Sequence, residues 1–160
     1  MNGITKTILH EFLQMHEMSA IALFCEDVRE EKQGTYSLMG IVGDNLRVPS
    51  LPGAIPKFVI YVRINIPISC TAEELRLYLH YPNGDRILIN TIREDLVEKT
   101  LNDARSMGNP IAGIFSHLVA APFPVEQAGR IAVELESTSG SQVIGSIHFD
   151  ITQDSSESTT

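Results

Sequence analysis

The chain has no tryptophan, only six phenylalanines and four tyrosines, two cysteines and no long apolar run. Each shortage removes a class of function. Without Trp and with so few aromatics, neither a carbohydrate-stacking platform nor a base-stacking sheet is expected. Cys25 and Cys70 form no CxxC pair and are too few for a disulfide framework or an all-cysteine metal centre, so both are expected as reduced core residues. No stretch reaches the ~20 apolar residues of a membrane helix, so no membrane contact is expected. The N-terminus shows no basic region followed by an apolar run, no signal peptide is read, and the expected location is cytoplasmic. Basic residues are also scarce, twelve against twenty acidic ones, and they nowhere cluster. The resulting formal charge of −8 repels phosphate backbones, so nucleic acid is not expected as a partner.

Catalytic and cofactor motifs are missing too. His10, His16, His80, His117 and His148 show neither H-x-x-x-H nor H-E-x-x-H spacing, which leaves a zinc enzyme unsupported. Ser116 and His117 are neighbours on a strand and point to opposite faces, so they form no nucleophile–base dyad. No G-x-S-x-G elbow occurs, and the glycines of 40–43 and 108–113 lack the form of a phosphate loop. No catalytic residue, cofactor or metal ligand is assigned.

What is present is period-2 alternation. Ile131, Val133 and Leu135 share one face against Arg130, Glu134 and Glu136. After a Ser/Gly turn, Val143, Gly145, Ile147 and Phe149 alternate with Ile144, Ser146, His148 and Asp150. The pair reads as an antiparallel hairpin with one face on a core. Phe58, Ile60, Val62, Ile64 and Ile66 alternate with Val59, Tyr61, Arg63 and Asn65. The even face is expected to be the main core, with the odd face partly covered by a helix over about 92–107. Leu75, Leu77 and Leu79 form a further strand, and Asn83-Gly84 marks its turn into 86–89.

The segment from Ser19 to Cys25 is expected to pair with 36–42 as another hairpin across a charged connection. Pro49, Pro52 and Pro56 predict a strand-free crossover over 45–56. The one internal helix has Thr91 as expected N-cap, an Asp95–Lys99 pair, and Gly108 and Pro110 to end it. The fold class predicted is mainly β: a two-sheet antiparallel β-sandwich of about eight strands over 18–151. Residues 1–17 are set apart as an amphipathic N-terminal helix, with Ile4, Ile8, Leu9, Phe12 and Leu13 on one stripe. Residues 152–160 carry nothing to bury and are expected as a disordered tail. A start at Met15 or Met18 is an alternative to the N-terminal helix.

The segment 22–41 has a strand ending in a D-x-R-x-E step (Asp27, Arg29, Glu31), then the G-x-x-S-L-x-G-I pattern from Gly34 to Ile41. A proline-rich crossover and Tyr61-Val62-Arg63 follow. This pattern resembles a family of small bacterial proteins of unknown function, through most of 18–151. The resemblance implies a β-sandwich and a bacterial source, and brings no activity with it. Separately, 122–129 before the strand 130–136 looks like the approach to a final hairpin in immunoglobulin-like sandwiches.

Glu26, Asp27, Glu30, Glu31 and Asp44 form the most suggestive polar group. A hard cation needs six to eight oxygens, and this segment lacks the D-x-D-x-D-G pattern, so a solvated charged turn that deters edge pairing is the preferred reading. Asp27 and Arg29 are expected as an ion pair near Arg63 or Tyr36, which makes Glu26, Asp27, Arg29 and Arg63 the interaction candidates. The function expected is a non-catalytic binding module for a protein partner, for itself or for a small ligand. Its self-association is a possible homodimer through Ile4, Ile8 and Phe12. A metal-dependent site or enzyme at the acidic hairpin end, and a structural part of a larger assembly such as a phage or secretion particle, are the alternatives.

Overall fold

The structure, a computed structural model, describes residues 17–151. The helix expected over 4–16 and the tail over 152–160 lie outside the described residues. Within them the chain is mainly β, with antiparallel sheets and one helix. A three-stranded sheet has the order β1 (Ser19–Cys25), β6 (Phe58–Pro67), β9 (Ile111–Ala120). A five-stranded sheet has the order β4 (Asn45–Val48), β12 (Gly140–Ile151), β11 (Gly129–Ser137), β7 (Leu75–His80), β8 (Arg86–Ile92). Two small ribbons accompany them: β2 (Asp27–Glu30) with β3 (Tyr36–Met39), and β5 (Gly53–Ile55) with β10 (Phe123–Val125).

The core is shared by the two larger sheets. On β6 the even residues Phe58, Ile60, Val62, Ile64 and Ile66 are all buried and join Leu75, Leu77 and Leu79 of β7 and Ile131, Val133 and Leu135 of β11. The face expected to be the main core is therefore the core face. At one end of it the Phe58 ring meets Phe24, Phe123 and Phe149, with centroids 5.7, 4.7 and 6.0 Å away. At the other end sits the helix α1 (Glu94–Ser106), which buries Val97, Leu101 and Ala104 in the same core. Arg105 ties α1 to the end of β6 by donating from Nη2 to the Ile68 carbonyl at 2.7 Å.

Several local expectations need correction. β1 pairs with β6 rather than with 36–42, because a ten-residue apolar strand offers it more buried surface than a short charged ribbon does. The charged connection folds instead into its own ribbon, β2–β3. The proline crossover 45–56 holds two short strands, and β4 pairs with β12 in parallel, the one parallel ladder among the described residues. The odd face of β6 is covered by β3 and not by α1: Tyr36 lies over Tyr61, with ring centroids 6.1 Å apart. The helix begins after Arg93, an extended N-cap without a side-chain capping bond, so Thr91 does not cap it. Asp95 is bound by Arg93 at 2.8 Å rather than paired with Lys99.

Two glycines carry geometry that other residues do not fit. Asn83-Gly84 makes the expected turn between β7 and β8, with Gly84 at φ 93° and its N–H donating to the Tyr81 carbonyl at 3.0 Å. Gly145 lies where β12 crosses under β1, and a Cβ there would stand 2.4 Å from the Ala22 carbonyl oxygen. Just before it the ladder to β11 slips by one residue, from Val133 opposite Gly145 to Glu134 opposite Val143. This bulge turns Ile144 inward and leaves Val143 exposed, against the expected alternation.

Ile60→Ala is expected to lower the unfolding free energy by about 2–5 kcal/mol in a denaturant titration. A loss below about 1 kcal/mol would be the behaviour of an edge position, not of this strand. Gly145→Ala is expected to cost about 1–3 kcal/mol in the same measurement, since backbone rather than a flexible side chain must give way.

Candidate functional site

The acidic residues singled out in the sequence do not converge. Glu26 is exposed at the β1–β2 corner, its N–H donating to the carbonyls of Met39 and Gly40. Asp27 is half-buried on β2, where its Oδ1 accepts the Val28 N–H at 2.9 Å and pairs with Lys57. Arg29 stands behind it, 3.8 Å from Asp27 Oδ2. The Lys57 hydrogen bond holds the Asp27 carboxyl below its usual range, with Arg29 adding to the effect. Among the described residues no group of three or more His, Cys, Asp or Glu side chains is placed to hold a metal ion.

Arg63 lies apart from Asp27. Its Nε donates to Asn65 at 3.1 Å and its guanidinium sits 5.3 Å from the centre of the Phe115 ring. Of the four candidates the structure thus joins Asp27 to Arg29 and separates both from Arg63. Lys57 was missed because it lies thirty residues after Asp27, just before β6, and only the fold brings the two together.

Around Arg63 the outward face of the three-stranded sheet is aromatic and apolar. Tyr36 contacts Tyr61, Phe115 and His117, with centroids 6.0–6.1 Å apart. Register places Ile21, Arg63 and Phe115 side by side across the three strands. Ile21 and Phe115 are 48% and 46% exposed. Tyr36 touches one end of that row, at Phe115, and leaves Ile21 at the other end open. Cys25 is a buried free thiol whose pKa is pushed up by burial first and by Asp27 second. Cys70 is also free.

The outward face of the five-stranded sheet carries a ladder of charges, with Leu88 and Val143 exposed beside it. Arg86 Nη2 bridges Glu134 at 2.8 Å and Glu136 at 2.7 Å, and its guanidinium lies 3.3 Å over the Tyr78 ring. His80 hydrogen-bonds Glu134, and Arg76 reaches Glu136 at 3.6 Å. The hydrogen bond from Arg86, against the opposing effect of burial, holds the Glu134 carboxyl below its usual range, with His80 adding to it. The alternation of Arg76, Tyr78 and His80 and of Glu134 and Glu136 was legible. Which strand lies beside which was not, and that alone makes the ladder. It satisfies its own charges and fixes the β11–β7–β8 register.

The chain belongs to a family of unknown function, DUF6941, which matches residues 20–109. The match runs from β1 through α1 and stops before β9, so it is narrower than the resemblance expected over 18–151. No curated protein matches the chain.

The ladder gives a pH dependence with a definite sign. A carboxyl whose pKa is lowered in the folded state stabilises the protein above its unfolded pKa, and that contribution disappears as pH falls through the folded value. Arg86→Met should therefore lower Tm most at neutral pH, and the gap to the natural chain should narrow below about pH 4.5. A gap that stays constant from pH 7 to pH 3 in thermal melts would refute the ionic role.

Proposed function

We propose that this chain is a non-catalytic, immunoglobulin-like β-sandwich of about eight strands, bacterial and cytoplasmic, that works by binding protein, beginning with a second copy of itself. The observation that carries the reading is the open Ile21–Arg63–Phe115 row on the three-stranded sheet. Ile111 and Val119, on the same side of β9, are exposed as well. Apolar surface gathered on one sheet face, with its cation already over an aromatic ring, suits a protein contact better than it suits water.

The amphipathic segment 4–16 precedes β1, the strand that carries Ile21, in the sequence. Its stripe of Ile4, Ile8, Leu9, Phe12 and Leu13 has to be buried somewhere, at roughly 1.5–3 kcal/mol per side chain. As a helix it would be about 20 Å long, close to the length of the seven-residue β1. Residues 17 and 18 alone separate it from Ser19, and Met18 is already packed against the core. Passing onto the same face of a second copy would bury that stripe and cover the exposed row together. The metal-dependent reading has less support, since Asp27 is neutralised by Lys57 and Arg29.

Sedimentation velocity at several concentrations, comparing the full chain, a chain beginning at Met18, and the full chain with Phe115→Ser, tests this. The full chain is expected as a dimer, and both altered chains as folded monomers by circular dichroism. One identical species for all three would overturn the reading. A ring or filament would instead favour a part of a larger assembly.

A further inference from the structure

At the Phe58 end of the core, where the β5–β10 ribbon lies across it, the packing is incomplete. A cavity of about 180 Å³ opens there between the turn after β7, the segment 123–127 and the core side chains of β11 and β12. Its floor is Phe123, Ile131 and Phe149, each buried to 3% exposure or less. Tyr81 forms one wall, its ring nearly parallel to that of Phe123 at 12° with centroids 6.1 Å apart. A dry apolar cavity of about 150 Å³ takes one benzene ring, so this one has room for a single six-membered ring.

The mouth is polar and of one sign. Asp85 and Glu126 both belong to the lining, together with Asn83 and Gln127, and no Lys, Arg or His does. Arg86, next along the chain to Asp85, faces the other side of its strand and is occupied by Glu134 and Glu136. Asp85 is held by Asn83, whose Nδ2 donates to it at 2.7 Å. Glu126 has no cationic partner among the described residues, yet its charge reaches the site: the Tyr81 hydroxyl is pushed up in pKa by burial first and by Glu126 second.

We propose that this cavity is a binding site for a small organic cation, a single apolar ring bearing an ammonium group on a short arm. The ring would lie against Phe123, Phe149 and Tyr81, and the ammonium would stand between Asp85 and Glu126. The apolar floor supplies affinity, and the unmatched carboxylates at the rim select the sign of charge. The site does not depend on self-association, since neither Ile21, Arg63 nor Phe115 lines it.

The test is a nuclear magnetic resonance titration of the full chain with 2-phenylethylamine, its neutral counterpart 2-phenylethanol and the anion 3-phenylpropanoate. Saturable shifts are expected at Tyr81, Asn83, Val125 and Gln127 with the amine, weaker binding of the alcohol, and none of the anion. Glu126→Gln, at an exposed position, should weaken the amine about two- to fivefold and leave the alcohol unchanged. Amine and anion binding equally, shifts confined to other residues, or no saturable binding would each overturn the proposal. Sedimentation of the same samples reports the dimer separately, so either idea can fail alone.

Discussion

The burial of β6 organises the rest of the molecule. Its even side chains run the whole length of the core, and Phe58 at one end holds rings from β1, β10 and β12 around it. Apolar area removed from water is worth roughly 25 cal/mol per Å², so a strand with five core residues outweighs any local pairing preference nearby. That explains why β1 pairs with β6 rather than with the return strand of the charged ribbon. It also explains why 27–39, deprived of that partner, folds back as a separate ribbon over the outer face.

The two ends of the core are closed by different means. α1 plugs one, with Val97, Leu101 and Ala104 inserted and Arg105 bonded to the chain just past β6. A helix is thick enough to fill the gap between diverging sheets. The other end is spanned by the β5–β10 ribbon, three residues on each side. A ribbon places alternate side chains inward, here Phe123 and Val125, and cannot fill the same depth. The cavity beside Phe149 is the consequence of that difference in thickness.

Much of this was legible from residues alone, and the limits have physical causes. Alternation marked β6, β7 and β11 correctly because each has one continuous core face. It failed at Ile144 because a bulge reverses the faces, and no local signal in Val143-Ile144-Gly145 announces it. It failed in 45–56 because prolines outside the paired positions still allow three- and four-residue strands on an edge. The candidate residues fared likewise. Asp27 and Arg29 are two apart on one strand and were found together, whereas Lys57 and the ladder of Arg86, Glu134 and Glu136 depend on long-range pairing that spacing does not encode.

The two outer faces finally divide the work that binding requires. On the five-stranded sheet Glu134 and Glu136 share Arg86, with His80 and Arg76 on the flanks, and a face of mutually satisfied charges gains little from a partner that would have to desolvate it. On the three-stranded sheet Tyr36 lies over Tyr61 and reaches Phe115, while Ile21, Ile111 and Val119 stay exposed beside one cation. The proposed self-association would use this side of the molecule. With an overall formal charge of −8 resisting indiscriminate approach between copies, that side is where contact costs least.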